Sequence, residues 1–198
     1  MSKSLKSNKI GRRKFVAELL ALRGSTVIVP GLGSATWDCF AAGDSADYLY
    51  SWGGMGLAVP TARGLALAQP RRRVLALTGD GEMMMGIGSL AVVADQAPSN
   101  LAILVLDNES FGETGRQTGL SAQKADIAAV ARGFGIAHTF VATSHDDLPT
   151  LAKLLFEQPG PSLAVAKIAL SEDPWALPEK DGAAIARRFQ VALGVAKP

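Results

Sequence analysis

Apolar positions along the chain follow two periods. Residues 74–77 (VLAL) and 101–106 (LAILVL) are unbroken apolar runs rich in β-formers, short enough to be strands buried on both faces. Residues 26–30 (TVIVP), 48–52, 138–142 and 163–169 predict four more strands. Helical spacing marks residues 15–22 (FVAELLAL), 57–69, 82–96, 125–134, 146–157 and 182–193. Pro60 falls within the first turn of its helix, where a missing N–H is tolerated. Asp146 opens another with the negative charge that a helix N-terminus favours. Strands alternating with helices predict parallel pairing through crossovers. The expected fold is α/β: a doubly wound, about six-stranded parallel sheet with helices on both faces. Gly86 and Gly88 interrupt the crossover helix at 82–96 and weaken it by about 1 kcal/mol each relative to alanine. Close packing or a subunit contact is the expected compensation.

Composition adds two constraints. The chain has 198 residues, enough for one α/β domain with a well-buried core. Its 48% hydrophobic and 19% charged content is apolar for a soluble domain, which suggests surface buried against another subunit. An alanine-rich globular protein would have the same composition. The single cysteine, Cys39, forbids an internal disulfide and a cysteine-rich iron–sulfur or zinc site. One thiol and no signal peptide favour the cytoplasm. No uninterrupted apolar segment has the roughly 18 residues of a membrane span. Residues 1–14 hold Lys3, Lys6, Lys9, Arg12, Arg13 and Lys14 with no acid, so residues 15–198 carry −4 of the formal +2. We expect residues 1–14 to be a basic, flexible tail, solvated rather than bound to nucleic acid or membrane, and residues 15–198 to be the folded domain. The run Arg71-Arg72-Arg73 is expected to be a solvated face.

The chemistry gathers at two strand ends. Gly79-Asp80-Gly81 follows the strand at 74–77, and Asp107-Asn108 follows the strand at 101–106. A strand–helix–strand unit puts Asp80 and Asn108 at the carboxyl ends of neighbouring strands, where open α/β sheets bind ligands. An aspartate, an amide oxygen and a nearby backbone carbonyl are hard donors that suit Mg²⁺, with phosphate and water completing its shell. Gly81 allows close backbone approach, and the helix that follows offers free N–H groups to an anion. The pattern reads as a magnesium–diphosphate clamp, although GDG taken alone is more often a turn. Gly31-Leu32-Gly33-Ser34 after the first strand is either a second phosphate-facing turn or an ordinary connection.

Spacing brings in a family. Asn108 stands 28 positions after Asp80, and Gly53-Gly54-Met55-Gly56 puts Met55 25 positions before it. This register resembles the thiamine diphosphate signature of the 2-oxoacid decarboxylase superfamily. The stretches GGMG, GDGEMMM and LDNESFGETGRQT look like the cofactor-binding subunit of sulfopyruvate decarboxylases and the equivalent part of phosphonopyruvate decarboxylases, over about residues 26–168. The resemblance implies thiamine diphosphate and Mg²⁺ as cofactors. It implies that Met55 props the bent cofactor and that the Gly53 carbonyl accepts from its amino group. Asp80, Asn108 and the Ser110 carbonyl would hold the metal. Gly33, Ser34, Gly79, Gly81, Glu82, Phe111 and Gly112 would line the diphosphate and its surroundings. It further implies a partner, a pyrimidine-binding subunit of similar fold that supplies the glutamate facing the cofactor ring, in a heterodimer or dimer of heterodimers. The substrate would be a small 2-oxoacid or related carbonyl compound. Residues 115–119 read GRQTG where those enzymes are expected to carry glutamine-proline-threonine, so the substrate does not transfer with the resemblance.

Other readings stay open at this level. The β subunit of a ferredoxin-linked 2-oxoacid oxidoreductase shares the signature but normally brings cysteine clusters, against which one cysteine argues. A non-catalytic nucleotide-binding subunit would use the same fold. Arg116 either reaches a substrate anion or is a surface residue. Trp175, in the proline-broken loop 171–181, packs on a partner, covers a site or buries against its own domain. His138 and His145 are expected to be structural, and Met83-Met84-Met85 core or interface.

Overall fold

The computed structural model describes residues 9–51 and 53–197. Five parallel strands form the central sheet: β1 (Val27–Pro30), β2 (Val74–Gly79), β3 (Leu101–Asp107), β6 (His138–Ala142) and β7 (Ser162–Lys167), in the order β1-β2-β3-β7-β6. Helices α1 (Arg12–Ala21), α2 (Ser34–Ala41), α7 (Leu148–Ala152) and α8 (Gly182–Ala192) cover one face. Helices α3 (Ala58–Ala68), α5 (Ser89–Gln96) and α6 (Ile127–Phe134) cover the other. The period-two alternation of the strands makes this possible. On β3, Ala102, Leu104 and Leu106 join the first core while Leu101, Ile103 and Val105 join the second. No helix among the described residues is long and apolar enough to cross a membrane.

The expected sixth strand, residues 48–52, is reduced to one parallel bridge between Ile28 and Tyr48; Trp52 lies outside the described residues. The segment does run beside β1. Ile28 N–H donates to the Asp47 carbonyl, Leu49 N–H to Ile28 and Ser51 N–H to Pro30. The rung between the last two would need an N–H from Pro30, which has none, so the ladder is interrupted there.

The crossover helix expected at 82–96 is two helices, α4 (Asp80–Met85) and α5, parted at Gly86-Ile87-Gly88. The close packing expected of the glycines occurs at Gly86, where a Cβ would stand 2.5 Å from the Gly56 carbonyl oxygen. The break therefore lets the 53–57 loop rest on the end of α4. The helix expected at 146–157 begins with a capping box between Ser144 and Asp147 and ends in a π turn at Lys153–Glu157. Helix α2, directly after the Gly31–Ser34 turn, has no counterpart in the sequence reading.

The basic segment is only partly a tail. Residues 1–8 lie outside the described residues, but Ile10 bridges to Ile168 and Arg12 opens α1, buried against Asp38. Arg13 also pairs with Asp38, at 3.0 Å. The Arg71-Arg72-Arg73 run is not merely solvated either. Arg72 pairs with Asp47 at 2.7 Å, and Arg73 Nε donates to the Leu155 carbonyl at 2.8 Å. In both segments the charged heads find partners while the stems pack, as long basic side chains can.

Candidate active site at the carboxyl edge of the sheet

In register, Gly79 of β2 pairs with Leu106 of β3, so the residues that follow each strand meet at one edge. Asp80 begins α4 and is 3% exposed. The Ser121 hydroxyl lies 2.7 Å from Asp80 Oδ2 and 2.8 Å from Asp107 Oδ1, donating its one proton to either. Asp107 is neutralised by Lys167 Nζ at 2.6 Å, whereas Asp80 has no ion pair among the described residues. Burial pushes the Asp80 carboxyl up to about 6, against the Ser121 hydrogen bond and with the Asp107 charge adding to the rise. A buried carboxylate without a cation beside it is costly to ionise unless one is bound there.

The loop after β3 folds over this group. Asn108 Oδ1 accepts from Ser110 N–H at 2.9 Å, an Asx turn that fixes the amide. Glu109 holds a left-handed conformation, with φ of 63°, between Lys9 (2.6 Å) and Lys167 (3.2 Å). A residue held there by its surroundings is a mark of a functional loop. The expected irregular loop contains a small antiparallel hairpin, β4 (Ser110–Phe111) with β5 (Gln117–Thr118). Gly119 N–H closes its base on the Glu109 carbonyl at 2.8 Å, directly above Asp80. Phe111 lays its ring over Gly81, and the Glu113 carboxylate reaches the backbone of Gly33.

These elements enclose a cavity of about 490 Å³, the size of a small-molecule site. Of the residues expected from the sequence, Ser34, Met55, Gly79, Asp80, Gly81, Glu82, Asn108, Ser110, Phe111 and Gly112 line it. Gly33 and Gly53 do not, although each adjoins or lies near a residue that does. Met55 is 36% exposed, at the open side. The Glu82 carboxylate is not free to face an anion: it accepts from Thr78 Oγ1 at 2.8 Å and from Ala58 N–H at 3.3 Å.

The sequence left one wall among open alternatives. Residues 170–175 cross the mouth as a strap, and Trp175 stacks on Trp37 of α2 with ring centroids 4.9 Å apart. Arg12 reaches Asp173 at 3.6 Å, Arg13 donates to the Pro174 carbonyl at 2.7 Å, and Arg116 pairs with Glu172 at 2.6 Å. Arg116 is thus a clasp between hairpin and strap, and Trp175 covers the site. The run of bases in the first fourteen residues, with no acid among them, was the available signal, but the acids that Arg12 and Arg13 meet, Asp38 and Asp173, are remote in sequence. His145 pairs with Glu18 and lies away from the cavity, as expected for a structural histidine.

The donor set fits a magnesium–diphosphate group. One carboxylate, one amide oxygen and backbone carbonyls are too few for a protein cage, and no cluster of three His, Cys, Asp or Glu able to hold a metal occurs among the described residues. Mg²⁺ bound through one or two carboxylates plus substrate phosphates needs no such cluster.

Comparison with known proteins points the same way. Residues 35–166 match the family model "Thiamine pyrophosphate enzyme, C-terminal TPP binding domain". The chain is 35% identical over 173 residues to a phosphonopyruvate decarboxylase of Streptomyces viridochromogenes, covering 87% of this chain and 43% of that protein. It is 38% identical over 109 residues to the β subunit of sulfopyruvate decarboxylase of Methanothermobacter thermautotrophicus, covering 55% and 58%. The β subunit from Methanococcus maripaludis is 29% identical over 159 residues, covering 80% and 84%. The chain therefore spans about half the length of the first two relatives. A structure from Mycobacterium smegmatis, assigned to the thiamin diphosphate-dependent enzymes, superposes with a TM-score of 0.70 over 81% of this chain and 32% of that one. At 24% identity that likeness speaks for the fold.

Proposed function

The chain belongs to the thiamine pyrophosphate enzymes, in their C-terminal TPP-binding domain family, and from that premise we propose that it is the cofactor-binding subunit of a 2-oxoacid decarboxylase, working with a separate pyrimidine-binding subunit. The observation that carries this reading is Asp80, a buried carboxylate with no ion pair among the described residues, lining the cavity at the strand ends beside Asn108. The names of the relatives, decarboxylases and decarboxylase β subunits, support the reaction class and the division into subunits.

In this reading Asp80, Asn108 and the Ser110 carbonyl hold Mg²⁺. Backbone N–H groups of Gly81, Glu82 and Gly112, with Ser34, face the diphosphate. When bound, thiamine diphosphate supplies the electron sink that receives the pair left behind as carbon dioxide departs. What this chain contributes is position. Met55 and the Gly53 carbonyl orient the ring end, and Phe111 and the strap exclude water from the diphosphate end. The resemblance gives the carboxylate that would face the cofactor ring to the partner, so both subunits would be needed for turnover.

The chain's single cysteine, buried and with its thiol pushed up by burial, provides no iron–sulfur ligand set and does not support the oxidoreductase reading. The test is expression alone and together with neighbouring reading frames, with assays for aldehyde and carbon dioxide from 2-oxoacids. Turnover is expected from the mixture and not from the single chain; robust turnover by the single chain would contradict the two-subunit reading.

A further inference from the structure

Glu82 stands where three loops of the site meet. It is 4% exposed. Thr78 Oγ1 donates to its Oε2, and the Ala58 N–H donates to its Oε1. The backbone amides of Leu32 and Gly56 also favour its charged form, against the rise that burial imposes. Each oxygen of the carboxylate thus accepts from a different segment of the chain. The fit around it is tight. A Cβ on Gly31 would stand 1.8 Å from Oε2, so the 31–34 turn lies directly on the carboxylate.

The Ala58 amide needs this acceptor. Ala58 is the first residue of α3, and the first N–H groups of a helix have no partner within it. Leu32 and Gly56 lie in turns outside any ladder. A buried amide without an acceptor loses its hydration for nothing. Hydrophobic contact does not tie these loops together, because they are built largely of glycine.

We propose that Glu82 is a positioning residue whose carboxylate ties the 31–34 turn, the 53–57 loop and the end of β2 into one floor, and so fixes Ser34 and Met55 relative to Asp80. The proposal rests on the cofactor reading above. It assigns the Glu82 side chain to the loops and leaves only its backbone to the diphosphate. A glutamine in this place has the same shape but half the acceptor capacity, and its amide N–H groups would confront donors.

The test uses the full chain, with amide hydrogen exchange by NMR and isothermal titration of thiamine diphosphate in magnesium. In the unaltered chain the amides of Leu32, Gly56 and Ala58 are expected to be protected; exchange at the rate of exposed loops would overturn the tie without any variant. In Glu82→Gln these three amides should exchange about tenfold faster or more while those of Leu104 and Val105 in β3 keep their rates. Thiamine diphosphate should bind about 10–100-fold more weakly, as for other residues that orient ligand-holding groups. A purely stabilising role would speed exchange throughout and leave the affinity of the folded protein unchanged, which would overturn the proposal. If Glu82→Gln does not fold, Thr78→Val removes one donor and keeps the carboxylate. It should move local exchange and affinity in the same direction by less, and wild-type values for both would overturn the proposal. Failure of the unaltered chain to bind thiamine diphosphate, with the three amides protected, would instead overturn the cofactor reading and the positioning role with it.

Discussion

At the scale of residues, two buried aspartates behave in opposite ways. Asp38 is fully buried but faces Arg12 and Arg13, so its charge is compensated. Asp38→Ala should destabilise the chain by about 3–5 kcal/mol, because it leaves the buried Arg12 guanidinium with Asp173 alone, at 3.6 Å. Urea unfolding measures this, and a loss below about 1 kcal/mol would contradict it. Asp80 lacks such a partner, and that difference separates a structural carboxylate from a candidate ligand. The sequence made Asp80 legible through its neighbours: GDG after an apolar run, with Asn108 at a fixed distance. It gave no comparable sign for Asp38, whose partners lie in a segment that reads as a tail. Glu82 was legible as a residue of the site but not in its role, since one of its donors is the backbone N–H of Ala58, on a segment remote in sequence.

At the scale of elements, packing explains where the sequence pattern and the structure part. An apolar period of 3.6 runs through residues 82–96, yet the helix breaks because Gly86 must meet Gly56 backbone to backbone. Gly86→Ala places a Cβ against the Gly56 carbonyl and should cost about 1–3 kcal/mol. It should also displace the loop bearing Met55, so thermal melting and cofactor titration should both shift; unchanged values in both would contradict the contact. The sixth strand was likewise legible as an apolar run, while its ladder on β1 is interrupted at the N–H that Pro30 lacks. Helix α8 shows a different dependence. Arg188 pairs with Asp44 at 2.5 Å, and Tyr50 also donates to Asp44. Burial alone would raise the Asp44 carboxyl, but these bonds outweigh it and hold it below its ordinary range. A lowered folded pKa gives stability that is present above the unfolded value near 3.8 and lost as pH falls from there through the lower folded value. Protection of α8 amides should therefore fall in that acid range in the parent but show no such step in Asp44→Asn. An equal step in both would rule out this pair as its cause.

At the scale of the whole molecule, the fold class, the parallel sheet and the ligand edge followed from alternation and from strand-end chemistry. The strap at 170–175 did not, because its contacts join the two ends of the chain through Arg12, Arg13 and Trp37. Met55 and Leu57 stand exposed beside the open side of the cavity, with Met85 nearby across the Gly56–Gly86 contact. In the two-subunit reading this side meets the pyrimidine-binding partner, and the isolated chain holds the cofactor by its diphosphate end only. The most direct test of that account is isothermal titration of thiamine diphosphate into the single chain, with magnesium and with chelator, for the parent and Asp80→Asn. Weak binding that requires magnesium is expected for the parent, and none for Asp80→Asn, whose melting temperature without metal should equal or exceed the parent's because a buried uncompensated charge is gone. Binding of equal strength in both proteins, or binding indifferent to magnesium, would contradict the account.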